Sequence, residues 1–386
     1  MTNNLTIPEK LLPEDGRFGS GPSKIRHDQM SELSDEWKTI LGTSHRQAPV
    51  KHIVASIKDG LCELFNLPDG YEIALGNGGS TAFWDMACAC LISRRAAFGV
   101  YGSFTKKFAD CAANAPFLEK PVVYESPMGT YTLPKPTEGV DAYCWAHNET
   151  STGVNAPVRR IHGLQTAPEG LPESALTIVD GTSAAGAIEI DISQTDVYYF
   201  SPQKAFGSEG GIWFAILSPA AIERASQIEE AAKLDGATRW VPSFLSLTKA
   251  LNNARKDQTL NTPAVGNFIL MNNQIQWLND NGGLAWSTAR CSKSASLIYD
   301  WADRVPYAQP FVKDAESRSH SVATIDVDDM INVDQILGVL RQNGIVDVSG
   351  YRGLHRNQLR IGVFPSVEPR DVEALLNCVD YVVAHM

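Results

Sequence analysis

Nothing in this chain of 386 residues suggests a disulfide framework or a zinc site, because its seven cysteines are odd in number and no two are spaced Cys-x-x-Cys. Cys88 and Cys90 fall in the apolar run 86–92 and read as small buried hydrophobes. No stretch of about 18 apolar residues occurs, which excludes a membrane-spanning helix. The opening Met1-Thr2-Asn3-Asn4-Leu5-Thr6 lacks the basic start and apolar core of a secretory signal, so a cytoplasmic location is expected. Positive charge is scarce as well. A formal net charge of −11 argues against nucleic acid as a default partner, although a local basic patch can still take an anionic substrate. Internal repeats and low-complexity tracts are missing. The glycine-rich turn 76–79 has neither the Gly-Lys-Ser/Thr of a P-loop nor a Gly-x-Gly-x-x-Gly fingerprint.

The composition that remains, 44% hydrophobic and 20% charged, is that of a soluble globular protein long enough for two domains. Residues 71–75, 97–101, 121–124, 141–145, 176–180, 196–200 and 211–217 read as strands. Several are apolar throughout, as strands covered on both faces should be. The spacing predicts a three-layer α/β domain, residues 17–265, around a mostly parallel sheet of about seven strands. From about Gly266 the texture changes. Long helical stretches broken by Asn281-Gly282-Gly283 lead to an alternating strand at 322–327, a helix at 333–342, a strand at 359–364 and a last helix from Glu368. A smaller α+β domain, 266–386, is expected there, with residues 1–16 packed against it. Ser218 followed by Pro219 marks a helix start.

Two residues carry the chemistry. Asp180 ends the apolar run 176–180, and Lys204 closes Ser201-Pro202-Gln203-Lys204 just after the next strand. Each alone reads equally as a turn aspartate or a surface lysine. Together, at neighbouring strand ends where α/β sheets bind ligands, they supply what pyridoxal 5′-phosphate requires. The amine forms a Schiff base with the aldehyde, and the acid keeps the ring nitrogen protonated. Upstream, Gly76-Asn77-Gly78-Gly79-Ser80-Thr81 joins a strand to a helix, a geometry that holds a phosphate on backbone N–H groups or makes a plain tight turn. Phe104, after another strand, can lie flat on the pyridine ring or be an ordinary core aromatic. Thr150, in Asn148-Glu149-Thr150, can bond the ring's 3′-oxygen or serve local turn chemistry.

For the substrate, Ser44-His45-Arg46 precedes a helix near Pro49. The pair offers a bidentate fork and a switchable donor to an anion, or is a solvated loop. Arg360 interrupts the strand 359–364 and is a candidate reader of an α-carboxylate. Arg352 and Arg356 flank it.

These residues resemble the phosphoserine aminotransferases, class V aminotransferases of PLP fold type I. The likeness runs through Phe18-Gly19-Ser20-Gly21-Pro22-Ser23, Ser44-His45-Arg46, Gly78-Gly79-Ser80, Asn148-Glu149-Thr150, Asp180, Gln203-Lys204, Asn261-Thr262-Pro263, Gly350-Tyr351-Arg352 and Arg360. Residues 351–365 are most similar to the actinobacterial branch. The resemblance implies that Lys204 forms the Schiff base and shuttles the α-proton, and that Asp180 pairs with the pyridinium. It further implies that Phe104 stacks, that Thr150 and Gln203 contact the 3′-oxygen region, and that Gly79 and Ser80 hold the phosphate. Asn261 and Thr262 would reach that phosphate from the partner subunit of a homodimer. His45, Arg46 and Arg352 would read the substrate's distal anion and Arg360 its α-carboxylate. The implied reaction interconverts 3-phosphohydroxypyruvate plus glutamate and O-phosphoserine plus 2-oxoglutarate, in serine synthesis, with a related step of pyridoxine synthesis open. Many family members have arginine where this chain has Ser80 and histidine where it has Tyr351, so two anion donors are lost. Arg356 and Lys106 are the candidate replacements. Another class V aminotransferase, of the alanine–glyoxylate type, is the alternative. A cysteine desulfurase would need a cysteine in an exposed glycine-rich loop, and a non-catalytic protein of this fold would not need Asp180 and Lys204.

Overall fold

The computed structural model describes residues 5–162 and 175–386. Seven strands form the main sheet: β1 (Glu72–Asn77), β2 (Ala96–Val100), β3 (Val122–Glu125), β4 (Ala142–Ala146), β7 (Leu176–Asp180), β8 (Val197–Phe200) and β9 (Ile212–Leu217). A two-stranded hairpin, β5 (Asn148–Glu149) with β6 (Val154–Asn155), lies between β4 and β7 in the chain. The order across the sheet is β1-β9-β8-β7-β4-β2-β3. Every neighbouring pair is parallel except those of β9, which runs against both β8 and β1. All seven expected strands are present, their ends shifted by a residue or two.

The sheet is apolar on both faces because both are covered. On one side α2 (Ala48–Leu64) and α7 (Val265–Asp280) bring Val54, Ile57, Leu61, Phe268, Met271 and Ile275 against Ile73, Tyr198, Phe200 and Phe214. On the other, α3 (Gly79–Cys90), α4 (Ser103–Asn114), α5 (Pro219–Ala231) and α6 (Leu247–Ala254) cover Phe98, Cys144, Ile178 and Tyr199. Cys88 and Cys90 are buried in this layer. The helix α1 (His27–Asp35) packs against α7. The α5 start is as read: the Ser218 side chain caps Ala221 N–H, with Pro219 at the first helical position.

A second sheet, ordered β10-β11-β12, is antiparallel and comprises β10 (Ala308–Pro310), β11 (Val322–Val327) and β12 (Gln358–Gly362). It packs with α8 (Gly283–Arg304), α9 (Val333–Gln342) and α10 (Pro369–Ala384) in a core that includes Ile7 and Phe18 from the N-terminal segment. Two differences from expectation have physical causes. β11 is buried along its whole length instead of alternating, because its polar residues are satisfied inside: Thr324 Oγ1 donates to Thr152 O at 2.8 Å, and Asp326 takes Arg356. The last strand ends at Gly362: Val363 N–H still donates to Ser321 O in register, but Ser321 N–H turns back to Ser319 Oγ at 3.1 Å instead of closing the next rung. β11 therefore docks on the segment after β5, so the second sheet closes over the carboxyl edge of the first. Among the described residues no helix is long and apolar enough to cross a membrane.

Candidate active site

Parallel strands bring their carboxyl ends to one edge, and each delivers a piece of the site. β7 ends on Asp180, and β8 runs into Ser201-Pro202-Gln203-Lys204. β4 leads to Thr150, β2 leads to Phe104 at the start of α4, and β1 feeds Gly78-Gly79 into α3. A cavity of about 370 Å³ results, lined by Gly79, Ser80, Phe104, Thr150, Asp180, Gln203 and Lys204 among others.

Lys204 is buried and donates from Nζ to the carbonyl of Ser20. Burial, and then the nearby Arg360 guanidinium, lower its pKa to about 7, against the pull of Asp180 and Glu149. A large share of the amine is therefore neutral and nucleophilic near pH 7. The lysine passes so close to Gly21 that a Cβ there would stand 2.3 Å from Nζ and 2.6 Å from Cε, at a φ of +135° that side chains avoid.

Asp180 accepts from Thr182 N–H at 2.8 Å through Oδ1 and from the Tyr199 hydroxyl at 3.0 Å through Oδ2. Tyr199 in turn accepts from Trp84 Nε1–H at 2.9 Å. Burial pushes the carboxyl pKa up, and these hydrogen bonds pull it back. Both direct donors are neutral, so a buried acid faces the cavity without a cation in contact among the described residues. A protonated ring nitrogen fits that vacancy in charge and direction.

At the end expected to take a phosphate, the described lining residues Gly78, Gly79, Ser80 and Thr81 include no basic side chain. Gly78, at φ +117°, caps α3, whose first-turn residues Gly79, Ser80 and Thr81 line the cavity at the helix end where N–H groups lack intrahelical partners. Ser80 Oγ lies 2.8 Å from Thr182 Oγ1 and 2.9 Å from Ser201 Oγ. On the far wall the Thr150 hydroxyl donates to Ser183 Oγ at 2.8 Å. The side-chain oxygen of Gln203 and the hydroxyl of Ser20 are buried with no partner among the described residues, so the wall holds unused hydrogen-bonding capacity. Phe104 also lines the cavity, its ring 5.7 Å from that of Tyr351.

Arg360 comes from β12. Its Nη1 donates to Thr150 O at 3.3 Å, its guanidinium lies 5.3 Å from the Tyr351 ring, and its Nε is buried without a partner among the described residues. Burial lowers its pKa, and a desolvated fork with a spare donor is suited to a carboxylate.

Arg360 adjoins the cavity through Thr150 without lining it, and the remaining expected residues stand farther off. His45 Nδ1 is 3.3 Å from Thr262 Oγ1, and Arg46 donates to Gln258 Oε1 at 2.5 Å and Leu260 O at 3.4 Å. Asn77 Nδ2 donates to Thr262 O at 3.0 Å, so this cluster, with Asn261, stands on the surface beside the end of β1. Burial and the Arg46 charge lower the His45 pKa. Arg352 is exposed. Neither candidate replacement donor is free. Arg356 makes a two-pronged bond to Asp326 at 3.0 and 2.6 Å, and Lys106 bonds Asp110 at 2.8 and 2.6 Å one helical turn away. Gly21, Thr182, Trp84 and Tyr199 were not foreseen as site residues. Of these, only Thr182 had a local signal, the Asp-Gly-Thr turn that lets a carboxylate accept from the second N–H onward.

Comparison with known proteins bears on the family and the fold. Residues 135–375 match the family model described as aminotransferase class-V. A phosphoserine aminotransferase from Rhodococcus opacus (strain B4) is 48% identical over 386 residues, covering the whole of both chains. A phosphoserine aminotransferase structure from Cytophaga hutchinsonii superposes with a TM-score of 0.82 at 23% identity, covering 95% of this chain and 99% of its own. A PLP-bound phosphoserine aminotransferase from Trichomonas vaginalis gives 0.77 at 18% identity, with coverages of 95% and 100%. At those identities the two structures bear on the fold.

Proposed function

We infer the function from one premise: this chain belongs to the phosphoserine aminotransferases, a branch of the class V aminotransferases. It interconverts 3-phosphohydroxypyruvate plus L-glutamate and O-phospho-L-serine plus 2-oxoglutarate. The observation that carries this reading within the structure is the buried pair Asp180 and Lys204 in one cavity with the opening of α3.

The cavity fits pyridoxal 5′-phosphate: hydroxyls and helix N–H groups at one end, an unpaired acid at its floor, an amine at its wall, and an aromatic ring over it. When bound, that group supplies an electrophilic carbaldehyde and an electron sink for the substrate α-carbon. Gly79 and Ser80 would hold its phosphate, Phe104 would stack on its ring, and Thr150 and Gln203 would meet its 3′-oxygen. Asp180 would supply the negative charge that keeps the ring nitrogen protonated, and the Trp84–Tyr199 relay keeps that carboxylate oriented. Lys204 Nζ, with a large neutral share near pH 7, takes a proton from the substrate side and returns it, and Ser20 O fixes the direction of the amine. Arg360 binds the α-carboxylate. His45, Arg46 and Arg352 read the distal anion, with His45, Arg46, Asn261 and Thr262 serving the cavity of the other subunit in a homodimer. That arrangement explains why the cluster around Thr262 stands at the surface, away from its own Lys204. A cytoplasmic location and use of the pyridoxine-pathway analogue complete the proposal.

Mixing the purified protein, loaded with cofactor, with O-phosphoserine tests this reading. The absorbance is expected to shift to that of the pyridoxamine form within one half-reaction, with alanine and serine producing little change. An equal response to alanine would contradict it. Replacement of Arg46 by alanine is expected to raise KM for O-phosphoserine about 10- to 100-fold, since a hydrogen bond to a charged group contributes roughly 1.5–3 kcal/mol, and to leave KM for glutamate far less affected. Equal effects on both would show that Arg46 reads any distal anion.

A further inference from the structure

Glu149 takes no part in the steps above, yet its side chain is completely buried and gathers more donors than any catalytic group. Oε2 accepts from Thr105 N–H at 2.9 Å, Thr105 Oγ1–H at 3.0 Å and Phe104 N–H at 3.1 Å. Oε1 accepts from Ser151 Oγ–H at 2.7 Å, Ser151 N–H at 3.1 Å and, more weakly, Phe104 N–H at 3.3 Å. All these donors are neutral. A carboxylate taken out of water without a cation is costly unless hydrogen bonds replace its hydration, and here two side-chain hydroxyls and the N-terminal turn of α4 do so.

A second observation is independent of those bonds. A Cβ on Gly102 would stand 2.2 Å from Cγ and 2.4 Å from Cδ of Glu149. The φ of Gly102 is 178°, which any residue adopts, so backbone conformation does not call for glycine. Room for the carboxylate does. Ser103 N–H completes the junction by donating to Ser151 Oγ at 2.9 Å.

The carboxylate thus ties two segments that approach the cavity from different strands. On one side is the first turn of α4, which carries Phe104. On the other is the loop that carries Thr150, whose carbonyl receives Arg360. A helix cap alone would need neither the return bonds from Ser151 nor a cleared Cβ position at 102.

We propose that Glu149 is a positioning residue for the transamination: it fixes the Phe104 ring relative to Thr150 and Arg360, so that cofactor and α-carboxylate are gripped in one register. The proposal rests on the cofactor reading above. Misplacement of a reacting group by about 1 Å can cost on the order of 100-fold in rate, so the effect belongs in kcat and in cofactor geometry.

The test uses Glu149→Gln and Gly102→Ala beside the wild type. The first removes the charge and two acceptor positions at nearly constant volume, and the second keeps the charge and displaces it. Both are expected to weaken cofactor binding about tenfold, to diminish the visible circular dichroism of the bound cofactor, and to lower kcat by roughly 10- to 100-fold. Glu149→Asp is expected to recover less than half of the dichroic signal, since its carboxylate falls one methylene short. Lowered thermal stability with cofactor affinity, dichroism and kcat unchanged in both variants would reduce Glu149 to a helix cap and overturn the proposal. Should Glu149→Gln fail to fold, Gly102→Ala decides alone. A wild type that takes up no cofactor would sink the premise and the proposal with it, whereas a normal wild type beside unaffected variants sinks the proposal only.

Discussion

The Lys204→Ala protein is expected to fold, to lose the visible absorbance that the lysine confers on the cofactor, and to turn over at least ~10⁴-fold more slowly than the wild type. The size of the effect follows from the lining of the cavity, where Lys204 supplies the sole amine among the described residues. Replacing it removes the nucleophile and the proton carrier together, and no neighbouring lysine can take over. Cofactor capture by the wild type gives a companion result. With burial holding the amine near a pKa of about 7, the neutral fraction falls about tenfold for each pH unit below that value. The capture rate is expected to be nearly flat between about pH 8 and 9 and to decline on the acid side. An ordinary surface lysine would still be gaining reactivity throughout the alkaline range. Retained absorbance and turnover in Lys204→Ala would end the assignment.

Asp180→Asn is expected to cost roughly 100- to 1,000-fold in kcat, with weaker cofactor binding. Removing one partner of a buried ion pair costs about 3–5 kcal/mol, and the amide cannot stabilise a protonated ring nitrogen. The neighbouring bonds sharpen the expectation. The oxygens of Asp180 accept from Thr182 N–H and the Tyr199 hydroxyl. An asparagine keeps one of these and turns an N–H₂ toward the other donor. The substituted protein is therefore expected to retain its fold and to bind substrate analogues, with the loss concentrated in the chemical step. Measurement of kcat and KM separately checks this, and a loss confined to KM would contradict the role.

The parts of this molecule legible in the sequence were those with a strong local pattern. Short apolar runs gave all seven strands of the main sheet, and several are apolar throughout because burial on two sides removes polar residues along the whole element, whereas the edge strand β3 is partly exposed. Asp180 and Lys204 were legible because one ends such a run and the other stands four residues past the next. β11 was read as alternating, and the error has a cause: Thr324 and Asp326 are polar and buried, satisfied by Thr152 O and by Arg356, partners far away in the chain. Long-range partnership also hid Glu149, which sits in a quoted motif but whose donors on α4 lie 44 and 45 positions earlier. Gly21 makes way for a lysine 183 positions later, which no local signal reveals. The replacement donors fell for the opposite reason. Arg356 and Lys106 were chosen for charge alone, and both already hold acids. The domain division is a related case. We propose to place the boundary at the 281–282 turn in preference to 265/266, since Phe268, Met271, Ile275 and Leu278 of α7 pack in the main-sheet core.

Reduction of the cofactor-loaded protein with borohydride, followed by peptide mass spectrometry, tests the central claim most directly. A pyridoxyl group is expected on Lys204, in near-stoichiometric amount and absent from every other lysine. An unmodified Lys204, or the label on a different residue, would contradict it.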